Sequence, residues 1–291
     1  MLWCGIHRAS FFAAHCSWRV NMQVQWTVQQ QVGPRKSQQD CYLAHEYDED
    51  VALFVLADGM GGLSHGYTAS VMVCEAVRDG LGRLLEADPD RTLLHFQDMI
   101  GMAVRHASRV LYDRNVREGR VGTGRMGSTC VALVLTRCFG VVAHVGDSRA
   151  YRFHEKGACL LTIDHTAAGQ AHRQGREDYL NGHLCRSEIP PVANGGALTR
   201  AMGLEEMVEI DSTIVQARPG NLFALVSDGM SDLHLNDMSR DIGHAISGGA
   251  TLRGVADRLM GLAQDRPPMS ADYPDGLYDN TTLLLAAFLA H

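Results

Sequence analysis

The chain has 291 residues, of which 46% are hydrophobic and 20% are charged, and its formal net charge is -7. This length is close to the upper limit for a single hydrophobic core, and the composition is that of a globular protein rather than a disordered one. The acidic balance, without a Lys/Arg-rich run, argues against a nucleic-acid-binding protein. No apolar run reaches the roughly 18 residues that a membrane span needs.

The N-terminal extension, residues 1–22, precedes the first regular pattern. Arg8 and His15 interrupt it, so its apolar stretches are too short for the core of a secretory signal. We expect either a disordered tail or the product of an upstream start codon, and the sequence is compatible with both. The eight cysteines form no CxxC pair and no zinc-type spacing, which favours reduced thiols in a cytoplasmic protein.

The first half of the domain predicted at 23–291 begins with strands and continues with helices. Polar and apolar residues alternate over 23–32, which predicts a strand with one buried face. The apolar run VALFVLADG at 51–59 predicts another strand, which is buried on both faces. Apolar residues at three- and four-residue intervals predict helices over 67–85 and 92–118.

The second half returns to strands. STCVALVLTR, FGVVAHVGD and AYRFHEKGACLLTID predict a three-strand meander whose last part is a hairpin. Residues 167–196 lose periodicity and gather Gly and Pro, which predicts a flap. Strands are predicted at MVEIDSTIVQA and NLFALVSDG, helices at 232–247 and 251–265, and a closing strand at YDNTTLLLAAFLA. Strand runs with inserted helix pairs indicate an α+β fold of packed antiparallel sheets covered by helices.

Acidic residues mark the ends of the predicted strands. Asp58, Asp147 and Asp228 each follow an apolar run, and Asp279 begins the closing strand. Any one of them alone is best interpreted as a solvated turn former. Four such placements in one chain instead predict a carboxylate cluster, which is stable only with protons or cations between its members. Oxygen ligands without His or Cys select magnesium, manganese or calcium, and we infer a magnesium or manganese pair.

Two further features favour this site. The glycines of DGMGG allow close approach of the backbone, so the carbonyl of Gly59 can also bind a metal. Arg35 precedes Asp40 by five residues in the loop RKSQQD, and arginine is the side chain best suited to bidentate binding of phosphate. Alone, a loop arginine is more often a solvated surface charge.

The ordered motifs RKSQQD, DGMGG, GSTCVALVL, HVGDSRAYRF, LTIDHT, LTRAMG, LVSDGMSD and DNTT cover nearly the whole chain. Together they resemble the type 2C metal-dependent protein serine/threonine phosphatases, in particular the bacterial members. The resemblance implies an αββα sandwich of two mainly antiparallel sheets flanked by helix pairs. It also implies two manganese or magnesium ions and a third, weaker metal.

The resemblance implies a role for each site residue. Asp58 bridges the two metals, the Gly59 carbonyl binds one of them, and Asp228 and Asp279 bind the other. Asp147 matches the third metal site, to which Asp228 also contributes. Two further matches concern water and substrate: Asp40 holds metal-bound water, and Arg35 grips the substrate phosphate.

The chain departs from the family pattern at three positions. Bacterial members usually read RxxNQD and DGMGGHxxGExAS, whereas this chain has Gln38 for the asparagine, Leu63 for the histidine and Tyr67 for the glutamate. The histidine is a plausible general acid, so the proton donor is left unassigned. His65 lies two residues on and is the candidate substitute.

Three functions follow from these residues. The first is metal-dependent hydrolysis of phosphoserine and phosphothreonine in proteins, opposing a serine/threonine kinase. The second is a pseudophosphatase that binds partners without turnover, and the third is a small-molecule phosphohydrolase. The retained acidic set favours the first. We expect phosphoprotein substrates, no nucleic acid, no membrane, a cytoplasmic location and a monomer.

Overall fold

The computed structural model describes residues 23–61, 65–88, 92–154, 157–173, 196–230, 238–242, 249–264 and 279–289. The strands are β1 (Gln23–Gln31), β2 (Asp40–Asp48), β3 (Val51–Met60), β4 (Gly127–Ser128), β5 (Cys130–Thr136), β6 (Phe139–Val145), β7 (Arg149–His154), β8 (Gly157–Leu160), β9 (Asp211–Gln216), β10 (Leu222–Val226) and β11 (Thr281–Leu289). The helices are α1 (His65–Ala87), α2 (Leu93–Arg117), α3 (Ala167–Arg173) and α4 (Leu252–Gln264), with 3-10 turns at Gly122–Gly124 and Asp228–Met230.

The strands form two antiparallel sheets. The first has the order β1-β11-β10-β7-β8, and the second has the order β2-β3-β5-β6-β9 with the short β4 paired to the end of β3. Each pairing between neighbouring strands is antiparallel. The predicted α+β class of two mainly antiparallel sheets is therefore confirmed.

Three apolar layers hold these elements together. Helices α1 and α2 pack on the outer face of the second sheet, for example through Val73 and Ile100. The two sheets pack against each other through residues such as Phe54 and Phe223. Helix α4 and the helical residues 238–242 cover the outer face of the first sheet. The order helix, sheet, sheet, helix is the predicted αββα sandwich.

Strand β3 shows why the central strands are apolar throughout. Leu53 and Val55 face the helices, whereas Phe54 and Leu56 face the other sheet. Successive side chains of a strand point to opposite faces, so a strand covered on both sides must be apolar at every position. The same alternation fixes the face on which residues beyond the strand emerge.

The predicted three-strand meander is wrong. Strands β5 and β6 pair within the second sheet, and β7 and β8 form the predicted hairpin, but that hairpin belongs to the first sheet. The chain crosses between the sheets at 146–148, where Gly146 has φ +101°. Local sequence does not separate a hairpin turn from a crossover here, because a glycine with positive φ after a strand suits both.

The predicted helices are largely confirmed where the structure describes them. The boundaries of α1 and α2 differ from the prediction by one or two residues, and α4 matches the helix predicted at 251–265. Of the helix predicted at 232–247, residues 238–242 are helical and the remainder lies outside the described residues, as do the extension 1–22 and most of the flap predicted at 167–196. Among the described helices, none has the length and apolarity needed to cross a membrane.

Candidate metal centre

The candidate site lies at one open edge of the space between the two sheets. Phe54 and Leu56 of β3 face this space, so by alternation Asp58 emerges on the same face. Asp40 is the direct cross-strand partner of Asp58, and directly opposite residues share a face. Strand β11 contributes from the opposite sheet, since Leu284 lies in the same intersheet layer and Thr282 precedes it by two residues.

Asp40 is held by the opposite sheet. Its side chain is only 1% exposed, and its Oδ2 atom accepts hydrogen bonds from Ser227 Oγ at 2.8 Å and Thr282 Oγ1 at 2.7 Å. Its Oδ1 atom is buried, and no donor among the described residues reaches it. Because a buried carboxylate oxygen is costly to leave unmatched, Oδ1 is a ready acceptor for water or a cation.

The backbone of Asp58 is fixed by the strand that follows helix α2. Its N–H donates to Thr129 Oγ1 at 2.9 Å, and its carbonyl accepts from Thr129 N at 2.8 Å and Ser128 Oγ at 3.0 Å. Thr129 Oγ1 also lies 2.7 Å from Ser148 Oγ in the sheet crossover. The crossover that carries the buried Asp147 is thereby joined to the end of β3.

Asp228 and Asp279 are placed by a close contact between two turns. Asp228 opens a 3-10 turn directly after β10. Gly229 in that turn packs against Thr281 and the carbonyl of Asn280 so closely that a side chain at Gly229 would overlap them. This approach brings the turn that Asp228 opens next to the segment that leads from Asp279 into β11.

Arg35 sits on a loop that Asn280 fixes. Asn280 Nδ2 donates to the carbonyls of Val32 at 2.9 Å and Ser37 at 3.1 Å, and its Oδ1 accepts from Gln39 N at 2.7 Å. Three hydrogen bonds from one buried side chain thus tie both ends of the loop to β11. The guanidinium of Arg35 forms an ion pair with the carboxylate of Asp279.

Burial and mutual repulsion change the ionisation of these carboxylates. Burial raises the pKa of Asp58 well above its usual range, and the charges of four further carboxylates raise it again: Asp40, Asp228, Asp279 and Asp147. Burial likewise raises the pKa of Asp40, against the hydrogen bonds from Thr282 and Ser227, which lower it. The hydrogen bond to Asp279 raises the pKa of Arg35. A bound cation would offset the repulsion within such a cluster.

A cleft of about 540 Å³ opens over these residues, lined by Pro34, Arg35, Lys36, Ser37, Gln39, Asp58, Gly59, Met60, Gly61 and Asp279. Gly59, which lines the cleft, is in contact with Gly66, and a side chain at either position would overlap the carbonyl of the other. Gly66 is the second residue of α1, so the helix starts at the cleft, with His65 as its first residue.

A second titratable cluster lies near the sheet crossover. His144, His165 and Asp211 each place one potential ligand atom within 4.8 Å of the others. The guanidinium of Arg200 already donates to Asp211 Oδ1 at 2.9 Å and lies 3.3 Å from His165 Nε2. His144 Nε2 is 2.8 Å from the carbonyl of Ile163, and burial lowers the pKa of His144 to about 4. These are hydrogen-bonded structural histidines.

Arg149 is also structural. Its guanidinium binds both carboxylate oxygens of Asp164, at 2.8 and 2.7 Å, and both side chains are buried. This bidentate pair joins the start of β7 to the LTIDHT motif.

The structure brings together the sequence-predicted acidic residues, with Arg35 and Gly59 at the same cleft. Sequence reasoning assigned no role to Ser227, Thr282 and Asn280, which hold Asp40 and the Arg35 loop. The signal was present in the motifs LVSDGMSD and DNTT, but which partner each side chain meets depends on the pairing of distant strands. Gln38, which replaces the family asparagine, accepts a hydrogen bond from Asp40 N at 3.0 Å.

The comparisons with known proteins agree with this geometry. The family model for protein phosphatase 2C matches residues 34–260. The chain belongs to the protein phosphatase 2C family. A putative protein phosphatase 2C-type from Streptococcus pyogenes is 28% identical over 203 residues, covering 70% of this chain and 77% of that protein.

Two further relatives are of the same kind. The serine/threonine phosphatase stp of Listeria welshimeri is 30% identical over 65% of this chain and 70% of its own length. Among solved structures, the S. agalactiae serine/threonine phosphatase matches with a TM-score of 0.70 and 25% identity, covering 91% of this chain and 99% of that one. The sandwich is therefore that of bacterial phosphatases of the 2C family.

Proposed function

We propose that this chain is a metal-dependent protein phosphatase that hydrolyses phosphoserine and phosphothreonine in proteins. The observation that carries the proposal is the convergence of four carboxylates on Asp58 at the floor of a cleft that Arg35 also lines. A non-catalytic binding module would not need this set, because clustered carboxylates repel one another. Membership of the family and the named activity of its relatives support catalysis over the pseudophosphatase alternative.

The residues present fit hard divalent cations. Among the residues that the structure describes, the cluster offers oxygen atoms only, and no donor reaches the buried Asp40 Oδ1. The backbone also approaches closely at Gly59. Asp58, the Gly59 carbonyl, Asp228 and Asp279 would hold two manganese or magnesium ions. Asp147 with Asp228 would hold a third, weaker one. Ions bound there would acidify a water molecule so that it attacks phosphorus at neutral pH.

Residues of the chain itself would orient the attacking water and bind the phosphate. Asp40 is the group that accepts a hydrogen bond from the attacking water through Oδ1, while Ser227 and Thr282 fix its Oδ2. The guanidinium of Arg35 faces the cleft and would bind two oxygens of the phosphoryl group, which stabilises charge as it builds up in the transition state. The Asn280 contacts keep the Arg35 loop in place for this role.

We expect phosphorylated proteins as substrates and a serine/threonine kinase that supplies them. A cytoplasmic location and a monomeric state remain predictions, as does the assignment of residues 23–291 to one phosphatase domain with a flap at 167–196. His65, at the start of α1 beside the cleft, remains the candidate proton donor in place of the histidine that Leu63 replaces.

Peptide hydrolysis tests the proposal. The chain should release phosphate from phosphothreonine and phosphoserine peptides with manganese present, and lose this activity when a chelator removes the metal. A phosphotyrosine peptide of the same sequence should be a poor substrate. Activity that survives chelation would contradict the mechanism, and activity confined to phosphotyrosine would contradict the substrate class.

A further inference from the structure

A stripe of helix α1 lies directly on the backbone that carries Asp40. Gly66 contacts the carbonyl oxygen of Gly59 and the side chain of Gln39. One turn further, Ser70 Oγ donates to the carbonyl of Gln39 at 2.6 Å. One more turn on, Cys74 Sγ donates to the carbonyl of Cys41 at 3.6 Å.

Two cysteines meet at the end of this stripe. Alternation turns the side chain of Cys41 away from the metal centre and towards α1, where it packs against the layer that contains Cys74. Both thiols are free, and Cys74 Sγ lies 3.6 Å from the backbone carbonyl oxygen of Cys41 itself. Cys74 is 1% exposed, whereas Cys41 is partly accessible to solvent. A small oxidant can therefore reach one member of the pair.

We propose that Cys41 and Cys74 are an oxidation site, and that a disulfide between them switches the metal centre to a less active form. The activity half of this proposal depends on the proposed phosphatase function. The disulfide half does not.

One molecule of hydrogen peroxide is sufficient to oxidise the two thiols to a disulfide. The thiolate of Cys41 attacks one peroxide oxygen, the O–O bond breaks, and Cys41 becomes a sulfenic acid while hydroxide leaves. The sulfur of Cys74 then attacks the sulfenic sulfur, the S–S bond forms and the S–O bond breaks. The oxygen leaves as water with the proton of Cys74. Two thiols lose two electrons, and one peroxide becomes two waters.

The bond changes the contact between α1 and β2. A disulfide holds its sulfurs about 2.05 Å apart, and Cys74 loses the S–H with which it donates to the Cys41 carbonyl. Closing the bond therefore alters how β2 at Cys41 is seated on α1. Asp40 is the adjacent residue, so its carboxylate shifts relative to Ser227 and Thr282 in the other sheet.

The disulfide can be read directly by mass spectrometry. The sequence has no Lys or Arg between Ser37 and Arg78, so trypsin leaves both cysteines in one peptide. After peroxide treatment and blocking of free thiols, that peptide should carry no blocking group and should lack two hydrogen atoms. Cleavage after the glutamates that separate the two cysteines, such as Glu46, should then give two peptides joined by a bond that dithiothreitol breaks.

Turnover of a phosphothreonine peptide tests the consequence. Peroxide should lower the turnover of the wild-type protein at least about tenfold, as expected when a catalytic group is displaced, and dithiothreitol should restore it. Cys41→Ser and Cys74→Ala should keep their turnover under peroxide. Cys159→Ser, which removes another half-buried free thiol on β8, should behave like the wild type. Restoration by dithiothreitol excludes methionine oxidation as the cause.

The oxidation site, the switch and the proposed function are each contradicted by a different result. Absence of the 41 to 74 bond in the oxidised wild-type protein would overturn the oxidation site. The bond with unchanged turnover, or turnover lost equally in Cys41→Ser, would overturn the switch. A reduced protein without phosphatase activity would count against the proposed function and leave the mass spectrum as the test of the disulfide.

Discussion

Asp40 and Asp58 stand directly opposite each other on the antiparallel strands β2 and β3, with both carboxylates on the face between the two sheets. Like charges at directly opposite positions destabilise a strand pair. The sandwich therefore contains a repulsion between two paired strands, and a bound cation would relieve it.

The first prediction concerns the stability of the metal-free protein. Asp58→Asn removes one of the opposed charges and keeps the shape of the side chain, so it should stabilise the protein by roughly 1 kcal/mol in the presence of a chelator. Urea unfolding followed by circular dichroism measures this. Asp98→Asn, an exposed aspartate on α2, is the matched control and should change little. Equal stability of the wild type and Asp58→Asn would contradict the account.

The second prediction concerns pH. Burial and neighbouring carboxylates raise the pKa of Asp58 in the folded protein, above the value of about 3.9 in the unfolded chain. The folded state then holds more protons than the unfolded state above that pH, so the free energy of unfolding should fall as pH rises from about 4. The decrease ends once pH passes the raised folded pKa. Asp58→Asn should show a smaller decrease under chelator, and an identical pH profile would contradict the assignment.

The third prediction concerns Arg35. Arg35→Lys keeps the charge but loses the bidentate fork, so kcat/KM for a phosphothreonine peptide should fall about 10- to 100-fold. Stability should hardly change, because the pair with Asp279 is half-exposed. Arg253→Lys, which alters an exposed arginine paired with Asp257 on α4, is the control. Unchanged kinetics in Arg35→Lys would remove this residue from phosphate binding.

The fourth prediction concerns the hydroxyls behind Asp40. Thr282→Val preserves shape and removes the donor at 2.7 Å from Asp40 Oδ2. The loss of one hydrogen bond to a charged group should lower kcat about tenfold, with KM unchanged, since Thr282 faces Asp40 rather than the substrate. Thr136→Val, at a buried hydroxyl bonded to the Phe139 carbonyl, is the control. A rise in KM alone would indicate a different role.

The fold was predictable because its local and global patterns agree. The continuous apolar run of β3 encodes burial on both faces of the strand, and the alternation of β1 encodes burial on one face. The three- and four-residue spacing in α1 and α2 encodes a buried stripe along each helix. The sheet to which a strand belongs is not encoded in this way. The hairpin β7 to β8 joins the first sheet because the chain crosses over at Gly146, whereas the sequence predicted that this hairpin continues one meander with β5 and β6.

The candidate site was likewise predictable only in part. The four strand-end aspartates were visible because each stands where an apolar run ends or begins. The supporting residues Ser227, Thr282 and Asn280 were not assigned, because their partners Asp40 and Gln39 lie roughly 190 to 240 positions away in the chain. Only the packing of one sheet on the other defines such pairs.

Manganese binding to the wild-type protein and Asp58→Asn, measured by isothermal titration calorimetry beside turnover of a phosphothreonine peptide, tests the central claim most directly. We expect the wild type and the control Asp98→Asn to bind manganese and to turn over the peptide, and Asp58→Asn to lose both together. Wild-type manganese affinity and full turnover in a folded Asp58→Asn protein would contradict the metal centre.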